Sequence, residues 1–505
     1  MRFKNFLIIG FVVIGSCLMA SCNQSSAEYI DFLKVSDKTY VGVSAIDTGL
    51  SVPWDIEFNK VNNSLFITEI GGAISELNLS DNSRKLIYQV PNVYFKRTAG
   101  LLGMALHPQF DQKPYVYIAY TTKEGEQIYS ELAKLTYGDK KIVNSQILLK
   151  IEGANGHNGS RLAFDKKGFL YWATGDAHSK THAQDSTTLN GKILRMTDEG
   201  KIPADNPIKD SYVYAWGFRN MQGLTFTANG NMMTSEHGDA IEDEVNWIRP
   251  LHNYGWLEIE GFHDLEREKA IAERSPRTEP IKAWTPVIAP AGLKYYAFNT
   301  IPEWDNSLLL VTLKSQSLRV LKLNTKQNEI VDEQIYFKDY YGRIRAVTTD
   351  NKGNIYLATS NRDWNPQNGF PKSQDDRILK LSKVNFVPEK YQEVYKSSKV
   401  DVKDGKALYQ AYCESCHKTD GKGLKDYFPP LADNPTVGNT SKLVHTILHG
   451  LTGEITVNGN KYDQMMPSFN FLSNDEIAKI STYVRSNFGN TYSSIDSTIV
   501  LKSRK

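Results

Sequence analysis

Asp165-Lys166-Lys167-Gly168-Phe169-Leu170-Tyr171-Trp172-Ala173-Thr174 and Asp350-Asn351-Lys352-Gly353-Asn354-Ile355-Tyr356-Leu357-Ala358-Thr359 are one pattern written twice. Each opens with turn chemistry, an aspartate that can bond its own backbone and a glycine that accepts positive φ. Each then runs into strand formers, Leu170-Tyr171-Trp172 in one and Ile355-Tyr356-Leu357 in the other. Related units of apolar strand, polar turn and aromatic-rich strand occupy 54–69, 103–120, 161–175, 223–236, 292–313 and 345–359. Their starts recur roughly every 50 to 70 residues, a blade-like period, and no long stretch among them has the 3.6-residue periodicity of a helix. Residues 40–385 therefore predict an all-β fold, a six-bladed β-propeller of four-stranded blades around a central channel. A pair of β-sandwiches is the competing architecture.

After Leu381 the texture changes. Residues 386–403 are polar and charged, as suits a linker. Over 404–490 the helical pattern returns: Ser473-Asn474-Asp475-Glu476 is a capping box, Ile477, Ile480 and Val484 share one helical face, and Gly489 marks the exit. This predicts a small all-α domain, with 491–505 a polar tail. Inside it, Cys413-Glu414-Ser415-Cys416-His417 is the C-x-x-C-H pattern of c-type heme attachment. Cys413 and Cys416 are spaced to add to the two heme vinyl groups, and His417 to bind the iron from one face. A redox dithiol or half a zinc site are the alternatives, and no second cysteine pair exists to complete the zinc site. Phe428-Pro429-Pro430-Leu431 and Met465-Met466-Pro467 resemble class I cytochromes c. That resemblance makes Met466 the sixth iron ligand, with Met465 as the local alternative. His445 and His449 are read as ordinary helix residues.

The chain has 505 residues, 40% hydrophobic and 11% aromatic, which excludes a largely disordered protein. Its 59 basic residues meet 57 acidic ones. Arg2 and Lys4 start an apolar run from Phe6 to Met19, followed by Ala20-Ser21-Cys22 and a polar stretch. Residues 1–21 resemble a bacterial lipoprotein signal with Cys22 acylated, and 22–39 would form a tether. Cys17 is a second candidate lipid site, and a plain secretory signal is the alternative. Removing Arg2 and Lys4 takes 59 to 57 and leaves no net charge, so a nucleic-acid partner is not expected. The expected location is the cell envelope, exported and lipid-anchored at the periplasmic face of the inner or outer membrane.

A second constellation lies in the repeat region. His157-Asn158-Gly159-Ser160-Arg161 precedes a strand ending at Gly175-Asp176; later come Gly217-Phe218-Arg219-Asn220-Met221-Gln222-Gly223, Glu236-His237-Gly238-Asp239, Asp243-Glu244-Val245-Asn246 and Asn253-Tyr254-Gly255-Trp256. With Gly100-Leu101-Leu102-Gly103, His107-Pro108 and Gly342-Arg343-Ile344-Arg345, these resemble the soluble glucose dehydrogenase and sorbosone dehydrogenase family over about residues 45–382. That family uses pyrroloquinoline quinone (PQQ) on a six-bladed propeller. The resemblance implies His157 as general base, Asp176 orienting it, and Arg219 and Asn220 beside the quinone carbonyls. It implies Gln222, Lys314, Arg343 and Arg345 as further cofactor contacts, and Trp284 and Thr98 near the substrate. It also implies calcium at backbone carbonyls of the Gly238-Asp239 turn, where relatives often carry proline in place of Asp239. His178 and His182 are read as surface loop residues.

The joint expectation is a PQQ- and calcium-dependent dehydrogenase. It would oxidise an aldose, or a related hydroxyl or aldehyde, to a lactone or acid. Electrons would pass to the fused heme c and on to a periplasmic or membrane acceptor. A calcium-dependent propeller lactonase and a carbohydrate-binding propeller carrying a cytochrome are the alternatives. The lipid expectation has a direct check: Cys22→Ser should release soluble protein or block processing in membrane fractionation, whereas Cys17→Ser should change little.

Overall fold

The computed structural model describes residues 28–394 and 404–504. The signal 1–21, Cys17, Cys22 and linker residues 395–403 lie outside the described residues.

Six antiparallel sheets form the blades of a propeller. The first strand of each is innermost: Pro53–Asn59, Leu101–Leu106, Gly159–Phe164, Met221–Phe226, Pro290–Tyr296 and Ile344–Thr349. These strands are almost wholly buried, and each packs on the next around a closed ring. Each also carries a register shift near its start, such as Gly159/Arg161, Met221/Gly223 and Ile344/Ala346. A bulge there re-aims the entering backbone. Because the second strands run antiparallel, their C-terminal ends reach the same face of the ring. The loops joining these ends are the ones that carry the sequence motifs.

The ring is closed by pairing the two ends of the propeller sequence. Thr39–Asp47 adds to Ile378–Val384, from Tyr40 opposite Val384 to Asp47 opposite Ile378. Val41, Val43, Leu379 and Leu381 are fully buried in one cluster across that seam. Outside it lies a fifth strand, Asp31–Ser36, whose Leu33 is also fully buried. Most of the described part of the expected tether is thus a blade strand. The short run Asp31-Phe32-Leu33-Lys34-Val35-Ser36 alternates too briefly to announce itself. The expected linker begins bound as well, since Gln392 N–H donates to Phe32 O at 2.8 Å and Lys34 N–H to Gln392 O at 2.9 Å.

The C-terminal region is helical, with helices Gly405–Tyr412, Glu414–His417, Pro435–Gly438, Thr440–His449, Asn474–Ser486 and Ser497–Ser503 and one short hairpin, Ile455–Val457 with Asn460–Tyr462. Ser473 and Glu476 form the expected capping box. Ile477, Ile480 and Val484 meet Leu408, Tyr409, Val444 and Leu448 in the core. The expected polar tail is structural: Ile495 and Val500 are buried in the same cluster, anchoring helix Ser497–Ser503.

If Asp31–Ser36 is part of the closing blade, Leu33→Ala should destabilise the protein by about 2–5 kcal/mol, the cost of truncating a buried leucine. Thermal or denaturant unfolding measures this; a free tether would show no change.

Candidate functional site

The face where the inner strands begin encloses a cavity of about 260 Å³. His157 stands at its wall with φ 53°, a left-handed conformation that a non-glycine residue adopts at an energetic cost and that recurs at functional sites. Its Nδ1 lies 2.9 Å from Asp176 Oδ1. Asp176 is buried and saturated: Trp256 Nε1 donates to Oδ2 at 2.8 Å and His178 N–H to Oδ1 at 2.8 Å. Gly175 is required here, since a Cβ would collide with the His157 carbonyl. Burial pushes the Asp176 carboxyl up, but His157 and Arg219 outweigh that and hold it below its ordinary range. Burial and the Arg219 charge push His157 down, although Asp176 opposes them. The pair is therefore a carboxylate and a neutral imidazole. Nδ1 carries the proton toward Asp176, and Nε2 is left with its lone pair.

Positive charge and hydrogen-bond donors ring the rest of the cavity. Arg219, Asn220, Gln222, Lys314, Arg343 and Arg345 line it, as does Thr98. Asn220 Oδ1 accepts from Gly159 N–H at 3.2 Å and from Gln222 Nε2 at 3.0 Å, tying adjacent blades together. Arg343 and Arg345 share the buried carboxylate of Asp363. Those two cations outweigh burial and hold Asp363 below the usual carboxylate range. Arg219 Nε, Arg343 Nε and His237 Nε2 are buried without a partner in the chain. Such atoms are uncommon in native structures, and these three line one cavity. An anionic, carbonyl-rich ligand would satisfy them, so these residues fit a quinone carrying carboxylates.

One expectation changes. Trp284 does not line the cavity. It sits on the fourth strand of its blade, Lys282–Trp284, with Nε1 donating to Glu333 Oε1 at 3.1 Å and cations of Lys282 and Arg319 over its ring. Asp239 is committed through its side chain to Arg219, at 2.7 Å. Among the described residues no three His, Cys, Asp or Glu side chains gather into a metal site. Calcium at Gly238-Asp239 would accordingly use backbone and ligand oxygens.

His178, read as a surface residue, is exposed, and its ring also lies tilted against His157 with centroids 3.9 Å apart. His237, from the Glu236-His237-Gly238-Asp239 motif, also lines the cavity, as do Trp54, Trp364, Gln367 and Gln464, which had no motif to mark them. Trp54 lies under the guanidiniums of Arg161 and Arg345, 4.5 and 5.9 Å from its ring.

In the helical domain, His417 is buried and its Nδ1 lies 2.9 Å from Pro429 O. Burial lowers its pKa, so the ring is neutral, Nδ1 is the donor, and Nε2 is free for iron. Cys413 and Cys416 are unpaired thiols on the same turn. Met466 exchanges backbone bonds of 2.9 Å with Leu451 and packs on the cluster that Cys413 also touches. Met465 is 41% exposed, which favours Met466 as the ligand. His445 and His449 lie on the exposed side of their helix.

The two sites adjoin. Ser415, inside the C-x-x-C-H turn, and Gln464 help line the propeller cavity. Lys314 Nζ donates to Ala411 O at 2.8 Å, and Asn365 Nδ2 to Ser415 O at 3.3 Å. Lys418 Nζ reaches Asn365 Oδ1 and Pro366 O. Trp364 meets Tyr427 and Phe428 at 5.5 and 5.7 Å. Ala240 of the propeller is buried in the core cluster of the helical domain.

Comparison with known proteins gives two matches along the chain. A family model described as Glucose / Sorbosone dehydrogenase matches residues 50–365, and one described as Cytochrome c matches residues 402–488. The aldose sugar dehydrogenase YliI of Escherichia coli is 30% identical over 341 residues, 63% of this chain and 90% of that protein. The solved PQQ-bound aldose sugar dehydrogenase of Streptomyces coelicolor superposes with a TM-score of 0.60 at 29% identity, over 68% of this chain and 98% of that one. Cytochrome c-552 of Thermus thermophilus is 36% identical over 91 residues, 17% of this chain and 69% of that protein.

Covalent attachment at Cys413 and Cys416 should keep Soret absorbance with the protein through acid–acetone extraction, and the Cys413→Ala, Cys416→Ala double variant should lose it. The weak near-infrared sulfur-to-iron band should vanish in Met466→Ala and persist in Met465→Ala.

Proposed function

The chain belongs to the glucose/sorbosone dehydrogenase family, joined to a cytochrome c domain, and is an oxidoreductase; from that premise we propose that it oxidises an aldose, or a related hydroxyl or aldehyde, with PQQ and passes the electrons to its own heme. One observation carries the reading. The free Nε2 of a carboxylate-oriented histidine belongs to a donor-rich cavity whose wall includes the heme-attachment turn.

Bound PQQ would supply a two-electron acceptor beside the substrate carbon. The chain's part is proton handling and placement. His157 Nε2 takes the substrate hydroxyl proton, and the resulting imidazolium is stabilised by Asp176 across the 2.9 Å contact. Trp256 and the His178 N–H keep Asp176 in place, so the imidazole does not turn away. Arg219, Arg343 and Arg345 would hold carboxylate and carbonyl oxygens of the cofactor with charge-assisted hydrogen bonds. Lys314 divides its role between the cavity and the helical domain. A calcium ion at Gly238-Asp239 would polarise the quinone. Heme held by Cys413, Cys416, His417 and Met466 would supply a one-electron acceptor. An exported protein anchored at Cys22 would deliver those electrons to an acceptor in the periplasm or membrane.

His157→Ala should lower sugar-driven dye reduction roughly 10²- to 10⁴-fold, while PQQ binding persists. Met466→Ala should retain dye reduction but transfer electrons poorly to a high-potential acceptor. The pH profile follows from the depressed histidine. His157 must be neutral to act, so kcat/KM should stay level through its ordinary value of 6.5 and fall only at lower pH. If cofactor-loaded protein oxidises no sugar, alcohol or aldehyde, the dehydrogenase reading fails.

A further inference from the structure

Two of the amides that line the cavity, Gln367 and Gln464, each leave a buried atom without a partner. Gln367 lies on the propeller loop between Ile355–Thr359 and Ile378–Val384, and its Nε2 is buried with no partner. Gln464 lies on the cytochrome loop after Asn460–Tyr462, and its Oε1 is in the same condition. One atom is a donor and the other an acceptor, which is what a hydroxyl needs from its surroundings. The loop carrying Gln464 is clamped to the propeller by its neighbour, because Asp463 Oδ1 pairs with Arg97 at 2.8 Å. Arg97 also lies over the Tyr427 ring, 5.2 Å from its centroid, and lines the cavity with a buried Nε that has no partner. It belongs to the His157 side, next in sequence to Thr98, whose hydroxyl lies near the Gly156 backbone beside the His178 ring.

We propose that the cytochrome domain completes the substrate site: Gln464, with Gln367 and Arg97 of the propeller, hydrogen-bonds the non-reacting hydroxyls of a sugar whose reacting hydroxyl lies at His157 Nε2. This rests on the sugar-oxidation reading and adds a recognition role to a domain otherwise assigned to electron transfer. The Arg97–Asp463 pair then does more than dock two domains, because it holds a specificity residue over the propeller mouth. Sugar selectivity becomes a property of the assembled chain.

The test uses full-length, heme-containing protein loaded with PQQ and calcium, assayed with an artificial dye across a set of aldoses. Gln464→Ala and Gln367→Ala should each raise KM for the best sugar roughly three- to tenfold, the scale of one lost hydrogen bond. The value of kcat, the Soret band and the apparent affinity for PQQ should stay as in the parent. If Gln464→Ala melts early, Gln464→Met keeps the volume without the amide and serves in its place. Unchanged KM for every sugar the parent oxidises would overturn the proposal. So would weakened PQQ binding with unchanged KM, since the amides would then serve the cofactor. A parent that oxidises no sugar would instead sink the underlying reading, and this inference with it.

Discussion

Closure of the propeller ring is the constraint on which everything else depends. Six inner strands converge on one channel only while Thr39–Asp47 pairs with Ile378–Val384. That seam joins segments more than three hundred residues apart, so its loop-closure entropy must be met by burial of Val41, Val43, Leu379 and Leu381. Once the ring is closed, short loops from different blades are held within hydrogen-bond reach. The bond from Gly159 N–H to Asn220 Oδ1 and the capture of Asp176 by Trp256 are consequences of that closure.

The proposed chemistry rests on keeping two adjacent groups in different charge states. Burial disfavours charge on both His157 and Asp176, yet the outcome differs: His157 and then Arg219 hold the Asp176 carboxyl down against burial, whereas Arg219 adds to burial in lowering His157. The cation stabilises the carboxylate and discourages protonation of the imidazole. The same face holds Arg343 and Arg345, and Asp363 beneath them keeps two buried guanidiniums from repelling each other.

Joining the cytochrome to the propeller does more than raise its local concentration. Lys314, Asn365, Trp364 and Arg97 fix the orientation of its C-x-x-C-H turn on the cavity. A flexible tether alone would deliver the domain in many poses. Here polar contacts and apolar ones, Ala240 in the helical core and Trp364 against Phe428, select one.

Local chemistry made a large part of this legible in the sequence. The repeated turn and strand at 165–174 and 350–359 announce blades because turn geometry and strand propensity are properties of neighbouring residues. Cys413-Glu414-Ser415-Cys416-His417 announces heme because one helical turn sets the spacing of two thiols and an imidazole. Family resemblance pointed to His157, Asp176 and the arginines that the fold gathers at one cavity, while Trp284 lies outside that lining, since resemblance at one position does not say on which strand of a blade the side chain lies. The sequence by itself thus determined the kinds of element, the number of blades and the C-x-x-C-H spacing. Only the tertiary structure decided that Asp31–Ser36 and Ser497–Ser503 belong to the packed fold, that the His178 ring lies against His157, and that Gln464 of one domain lines the same cavity as His157 of the other. The reason is physical: those facts are set by closure and docking, which act between residues that share no local pattern.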